Sequence, residues 1–233
     1  MKIKKIAIIG QGQFGAFMKM HLEMHFEVVP FTRYSECRVL EDCDVVIFSV
    51  PFSSLDTVSK RIKKFVRKDA IIVDVTSVKQ KPIALLQKHF KSHQILGTHP
   101  VFGPQSGKNG IQGLPIVLSN ASCTKATYTK ISFFLKNELG LQIIEQTPKQ
   151  HDHEMANVQA LTHFIGRALL NLQIKSYATN TKSYEQLLEV ASLLKDDSWE
   201  LFKTIQNTNP EAKKIRKQFL KELISLESAL LKD

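Results

Sequence analysis

The stretch Lys5-Ile6-Ala7-Ile8-Ile9-Gly10-Gln11-Gly12-Gln13-Phe14-Gly15 decides the fold. Its short apolar run shows no alternation and reads as a strand buried on both faces. The glycines that follow have the spacing of a turn that opens a helix and receives a pyrophosphate. Gly10 permits the tight turn, Gly12 lets the backbone approach the phosphate, and Gly15 lets helix pack on strand. The phosphate would then meet the unpaired N–H groups at the start of a helix read over Ala16–His25. The glycine spacing alone is weak evidence; the strand before it and the helix after it give it weight.

Outward from this unit the pattern repeats. Further strands are expected at Phe26–Phe31, Asp44–Val50, Ala70–Val75, Gln94–Gly97, Leu114–Leu118 and Leu141–Glu145. Helices are expected at Ser53–Phe65, Val78–Gln87 and Lys125–Asn137. Alternating strands and helices predict the α/β class, a Rossmann-type doubly wound sheet. From Thr147 onward the periodicity is helical and no strand is expected. Ala156, Leu161, Phe164, Ala168 and Leu172 trace one apolar stripe, and Pro210 divides the last stretch into two helices. We place the boundary after Gln146, with residues 1–146 as the dinucleotide-binding domain and 147–233 as an all-helical domain. So short a helical region has little core of its own, so it is expected to pack on the sheet domain and on a second copy of itself.

Composition narrows the class. Apolar residues make up 43% and charged residues 23%, as in ordinary globular chains. No apolar run approaches the roughly 18 residues of a membrane helix, and the N-terminus lacks signal-peptide character. Cys37, Cys43 and Cys123 have neither metal nor disulfide spacing, so a reducing, cytoplasmic setting without a metal is expected. The formal net charge is +10. The densest basic run, Lys60–Lys68, is interrupted by Ile62, Phe65 and Val66 at helical spacing. It reads as a solvated helix face rather than a nucleic-acid surface. His21 and His25, at i and i+4, read the same way.

The strand ends carry the chemistry, because ligands of open α/β sheets bind at the carboxyl edge. Gln11, Gln13 and Phe14 belong to the cofactor turn, and Ser49-Val50-Pro51 to the same crevice. The second strand ends Phe31-Thr32-Arg33-Tyr34-Ser35, with no carboxylate before Glu36. An NAD site usually places an acid there for the ribose hydroxyls. Arg33 can instead pair a 2′-phosphate, with Thr32 and Ser35 donating hydrogen bonds. NADP is therefore expected over NAD; the competing reading makes Arg33 an ordinary surface cation. Ser77 is expected to face the reacting centre, or to cap the helix after it. His99 lies in Gly97–Pro104, read as a loop stiffened by prolines and freed by glycines. An imidazole held there suits a general base near neutral pH. Gln159 and His163 share a helix face at i and i+4, whereas His151 and His153 do not, which argues against a metal pair.

The segments GQGQFG (10–15), DVTSVK (74–79), THPVFGPQSGKNG (98–110), HDHEMANVQALTHFIGRAL (151–169) and NTKSYEQLLEVASLLKDDSWELF (180–202) together resemble the prephenate/arogenate dehydrogenases of tyrosine biosynthesis. The SGKNG segment, Thr181-Lys182 and Tyr184-Glu185 look most like the plant-type arogenate dehydrogenases. The resemblance implies a Rossmann domain, then a helical domain that dimerises, with the active site between them. It implies an NAD(P)-dependent oxidative decarboxylation in which His99 takes the proton of the ring hydroxyl. Ser77 would bond that hydroxyl or His99, and Gln159, His163 and Thr181 would contact substrate. Many bacterial members grip a substrate carboxylate with an arginine where this chain has Glu185 or Glu189. An acidic residue that separates arogenate from prephenate enzymes falls on Asp197. A carboxylate there would attract the ammonium of arogenate and repel the keto acid prephenate. Lys182, Lys108 and Arg167 are the candidate cations for the side-chain carboxylate. The alternatives are a prephenate dehydrogenase giving 4-hydroxyphenylpyruvate, and a non-catalytic NADP- or nucleic-acid-binding protein. No regulatory or mutase segment is recognised, so any feedback by tyrosine is expected as product competition. Neither a nucleic acid nor a membrane is an expected partner.

Overall fold

The computed structural model describes residues 3–231. Seven strands, β1 (Lys5–Ile9), β2 (Glu27–Phe31), β3 (Val45–Phe48), β4 (Ile71–Asp74), β5 (Gln94–Pro100), β6 (Pro115–Asn120) and β7 (Gln142–Glu145), form one sheet. Their order is β2-β1-β3-β4-β5-β6-β7. The first five run parallel, β6 is antiparallel to β5, and β7 is parallel to β6. The order reverses direction between β1 and β3, which creates the crevice of a doubly wound sheet.

Both faces of the central strands are covered, which is why their sequences are continuously apolar. Ala7, Val46 and Ile72 pack with Leu55 and Ile62 of α2 (Phe52–Ile62) and Leu86 of α3 (Gln80–His89). On the other face, Ile6, Ile8, Ile47 and Val73 pack with Leu22 of α1 (Gln13–Leu22) and Ile131 of α4 (Lys125–Phe133). A π-helical turn, Phe134–Glu138, extends α4.

Three local expectations need correction. His99 is not in a loop. The sequence reading ended the strand at Gly97, but β6 pairs Thr98 with Leu118, His99 with Val117 and Pro100 with Ile116. Gly97 serves packing rather than freedom: a Cβ there would meet Ile83 Cδ1 at 2.5 Å. Ser77 does not cap the following helix, since α3 starts at Gln80 with Lys79 at its N-cap and no side-chain cap. His21 and His25 do not share a helix face, because α1 stops at Leu22. His21 instead lies half-buried, edge-on to Phe17 with ring centroids 4.8 Å apart.

The chain divides into two compact units, Met1–His151 and Asp152–Asp233. The second contains the end of α5 (Pro148–Met155), a π-helical stretch (Ala156–Leu161), α6 (Thr162–Asn171), α7 (Lys182–Leu194), α8 (Trp199–Thr208) and α9 (Ala212–Leu230). The expected apolar stripe is overturned at its far end: Ala156 is buried, but Ala168 is exposed and Leu172 is 72% exposed. The π turns take more residues than α turns, which rotates the later positions away from the predicted face. Ala160 and Gly166 are buried instead; a Cβ on Gly166 would meet Leu194 Cδ1 at 2.3 Å. Pro210 separates α8 from α9 as the sequence predicts. Among the described residues no helix is long and apolar enough to cross a membrane.

At the end of β4, the side chains of Asp74 and Lys79 form an ion pair with both wholly buried. The Thr76 N–H donates to Asp74 Oδ1 at 3.1 Å, and the Thr98 hydroxyl donates to the Asp74 carbonyl at 3.0 Å. A buried charge that loses its partner keeps its desolvation penalty. Lys79→Met should therefore lower unfolding free energy by about 3–5 kcal/mol, measured by urea denaturation. Adding Asp74→Asn should recover much of that loss.

Candidate active site

The carboxyl edge of the sheet gathers the first set of residues. The Gly10 N–H donates to the Phe31 carbonyl at 2.9 Å and the Ser49 N–H to the Ile9 carbonyl at 2.8 Å, so β1, β2 and β3 meet there. Gly10 has φ +103°, and a Cβ on it would lie 2.3 Å from the Ser49 carbonyl oxygen. A Cβ on Gly15 would lie 2.1 Å from the Gly10 carbonyl oxygen, so both glycines are required by close approach. Gly12 differs: a Cβ there meets nothing within 4 Å, which leaves open space beside the start of α1. That helix begins with no side-chain cap and no acid in its first turn. Uncapped N–H groups facing open space suit a pyrophosphate, so these residues fit a dinucleotide. Gln11 turns its amide back to the Ile8 carbonyl at 3.1 Å, Gln13 is exposed, and Phe14 packs toward Phe17. Ser49 and Val50 are half-buried, and Pro51 is the exposed N-cap of α2.

Beyond β2, Thr32–Ser35 forms a tight turn. The Thr32 N–H donates to Ser35 Oγ at 2.9 Å and the Tyr34 N–H to Thr32 Oγ1 at 3.2 Å. Arg33 extends from this turn over the Tyr34 ring, 4.8 Å from its centroid. Arg61, counted in the sequence as part of a solvated basic face, folds onto this turn.

His99 stands at the end of β5, only 3% exposed. Its Nδ1 lies 2.9 Å from Nε2 of His151, which is wholly buried. Two neutral or singly charged imidazoles at this distance share one proton, so the tautomer of one sets that of the other. Ser77 is half-buried just past β4, the strand beside β5. His151 was missed as a partner of His99 because nothing local links positions so far apart; its only sequence signal was its place in a histidine-rich segment. Among the described residues no three His, Cys, Asp or Glu side chains gather as a metal site.

The helical unit holds the remaining candidates. Gln159, His163 and Arg167 follow one another at i, i+4 and i+8 through the π segment and α6. Asp197, in the turn between α7 and α8, comes to this row. Arg167 Nη2 donates to the Asp197 carbonyl at 2.8 Å, and its guanidinium lies over the Trp199 and Phe202 rings. Asp197 does not cap α8; the Ser198 hydroxyl does, accepting from the Leu201 N–H. Gln159 Oε1 is buried without a hydrogen-bond partner among the described residues. Thr181 caps α7, its hydroxyl accepting from the Tyr184 N–H at 3.3 Å. Lys108, Lys182, Glu185 and Glu189 are exposed.

His163 Nδ1 is 3.6 Å from Asp197 Oδ2, too long for a hydrogen bond. Burial, with the Arg167 charge in addition, lowers the His163 pKa to about 4, so its imidazole is neutral at pH 7 and the contact is no ion pair. Burial pushes the Asp197 carboxyl up, while Arg167 holds it back. Below the ordinary histidine value the unfolded chain binds a proton that folded His163 refuses, so stability falls as pH drops from 6.5 toward 4. Between pH 7 and 5 this one group should remove about 2 kcal/mol of unfolding free energy. His163→Leu should abolish that share of the pH dependence, measured by chemical denaturation at both pH values.

The comparisons follow from this geometry. Residues 17–138 match the family described as prephenate dehydrogenase, nucleotide-binding domain. Residues 168–233 match a TYRAAT1-like, C-terminal domain. The chain is 34% identical over 232 residues to arogenate dehydrogenase 2, chloroplastic, of Arabidopsis thaliana, covering 89% of this chain and 64% of that protein. It is 30% identical to arogenate dehydrogenase 1, chloroplastic, of the same plant, covering 97% of this chain and 39% of that protein. The chain thus spans less than two thirds of the length of these curated relatives. The fold superposes on a crystal structure of prephenate dehydrogenase from A. aeolicus in complex with hydroxyphenyl propionate and NAD+. The TM-score is 0.75 at 18% identity, with 100% of this chain and 92% of that one covered. A match over more than half of its length, on a sheet with the expected dinucleotide turn, places the chain in the prephenate dehydrogenase family.

Proposed function

We propose that the chain is an NADP-dependent arogenate dehydrogenase that forms tyrosine by oxidative decarboxylation, with His99 as general base. The observation that carries the reaction is the His99–His151 contact at the carboxyl edge of the sheet, 2.9 Å between ring nitrogens. With Nδ1 of His99 donating to His151, Nε2 is the nitrogen that accepts a proton. His151 then carries its own proton on Nδ1 and, by taking up the Nδ1–H of His99, steadies the imidazolium that forms.

Gly10–Gly15, Thr32, Arg33, Ser35 and Ser49–Pro51 would hold the cofactor, whose nicotinamide would supply the hydride acceptor. His99 takes the proton of the C4 hydroxyl as hydride leaves C4, giving a ring ketone. The ring carboxylate then departs as carbon dioxide. Its bonding pair enters the ring, and the new phenol oxygen recovers a proton from His99. Atoms and charge balance without another reactant. Ser77 is assigned to hold the hydroxyl or the His99 ring in this alignment. His99→Asn should lower kcat by at least about a hundredfold, the lower end for loss of a general base, while leaving NADP affinity within about twofold. Equal losses in both would remove His99 from this role.

The substrate reading rests on Asp197 and Arg167. An α-amino acid presents an ammonium beside a carboxylate, and this turn presents a carboxylate beside a guanidinium. We assign Asp197 to the ammonium and Arg167, ahead of the exposed Lys108 and Lys182, to the carboxylate. Gln159 and His163 are assigned to the ring, and Thr181 to the rim of the same site. The cap role that would explain Asp197 otherwise belongs to Ser198. The arogenate dehydrogenase relatives from Arabidopsis support the same choice. Asp197→Asn should raise kcat/KM for prephenate relative to arogenate by at least about tenfold, the scale of one charge-assisted contact. An unchanged ratio would remove Asp197 from this role. The same reading makes the chain a homodimer: α9 exposes Leu220, Leu223, Ile224 and Leu230, and sedimentation distinguishes a pair from a monomer.

A further inference from the structure

Arg61 lies in the last turn of α2, far in sequence from the turn that follows β2. Its guanidinium nevertheless donates to three main-chain carbonyls of that turn. Nη1 is 2.9 Å from the Arg33 carbonyl oxygen and 3.5 Å from that of Thr32, and Nη2 is 2.5 Å from that of Ser35. The same guanidinium lies over the buried Phe31 ring, 5.2 Å from its centroid. An isolated surface arginine bonds water; this one closes a loop.

We propose that Arg61 is a positioning residue for cofactor specificity, and that it makes the Thr32–Ser35 turn competent to hold a ribose 2′-phosphate. This rests on the NADP reading above. Three carbonyl oxygens converging on one point would set negative dipoles beside an incoming phosphate. The guanidinium neutralises them and fixes the turn. The Thr32 and Ser35 hydroxyl oxygens are 3.3 Å apart and share one hydrogen, which leaves a second hydroxyl hydrogen to point outward. The Arg33 guanidinium makes no hydrogen bond among the described residues, and its base is pinned because the Arg33 carbonyl accepts from Arg61. A guanidinium has five N–H donors, so Arg61 keeps further donors and its full charge beside the site. Lysine, a point charge without the fork, would keep the charge and lose the clamp.

The test uses 2′,5′-ADP and 5′-AMP, which differ by the 2′-phosphate, titrated into the full chain by calorimetry. Arg61→Ala should weaken 2′,5′-ADP by at least about tenfold while 5′-AMP changes by less than about twofold. Arg61→Lys should fall between the original chain and Arg61→Ala for 2′,5′-ADP only. Equal weakening of both ligands would show a merely structural arginine and overturn the proposal, as would no weakening of either. The NADP reading fails separately, and visibly, if the unsubstituted chain binds 2′,5′-ADP no more tightly than 5′-AMP.

Discussion

Gly10 presses against the end of β3 so closely that a single added carbon would sit 2.3 Å from the Ser49 carbonyl oxygen. This contact lies where the strand order reverses, between β1 and β3. It holds open the crevice of the sheet and starts α1 immediately beyond it, with its N–H groups uncapped. Because β1 to β5 are parallel, each releases its carboxyl end at the same edge. The Thr32–Ser35 turn, Ser49–Pro51, Ser77 and His99 become one row for that reason alone. A larger residue at Gly10 or Gly15 would push the turn from β3 and disperse the row.

Two buried polar pairs then tune this edge from beneath. Asp74 and Lys79 neutralise each other at the end of β4, where Thr98 also ties β5 to the Asp74 carbonyl. Next to them, His99 is held by His151 in a site almost closed to water. Hydrogen bonds inside such low-dielectric surroundings are strong, and an unmatched partner is costly. Buried polar pairing thus holds the groups at this edge, while the sheet supplies the placement.

The first strand, its glycine turn and the helix after it were legible because their signals are local: apolar continuity, glycine spacing and a helix start. The switch to a helical region was legible from periodicity. His99 was seen as a site residue but misplaced in a loop. Its strand exists only through pairing with Val117 and its neighbours on β6, and proline and glycine nearby suggested the opposite. The Ala156–Leu172 stripe failed because a π-helical stretch changes the count of residues per turn, which no α-helical periodicity anticipates. Arg61 was hidden in a basic run: it is exposed like its neighbours Lys60, Lys63 and Lys64, and its contacts with the Thr32–Ser35 turn set it apart from Lys60, which makes an ordinary i,i+4 pair with Asp56.

By itself the sequence determined the class of fold, the dinucleotide turn, the family and the identity of His99, Gln159, His163 and Asp197 as residues of interest. The fold class, the turn, His99 and the Gln159–His163 spacing follow from residue type and short-range pattern, which the chain carries in any conformation, whereas the family and Asp197 follow from the resemblance of longer segments to the prephenate/arogenate dehydrogenases. The tertiary structure alone decided that His99 is a buried strand residue paired with His151, that Arg167 stands beside Asp197, and that Arg61 closes the cofactor turn. Those facts are contacts between segments distant along the chain. They come into being only when parallel strands and packed helices bring the segments together, and burial then sets the charge each group can hold.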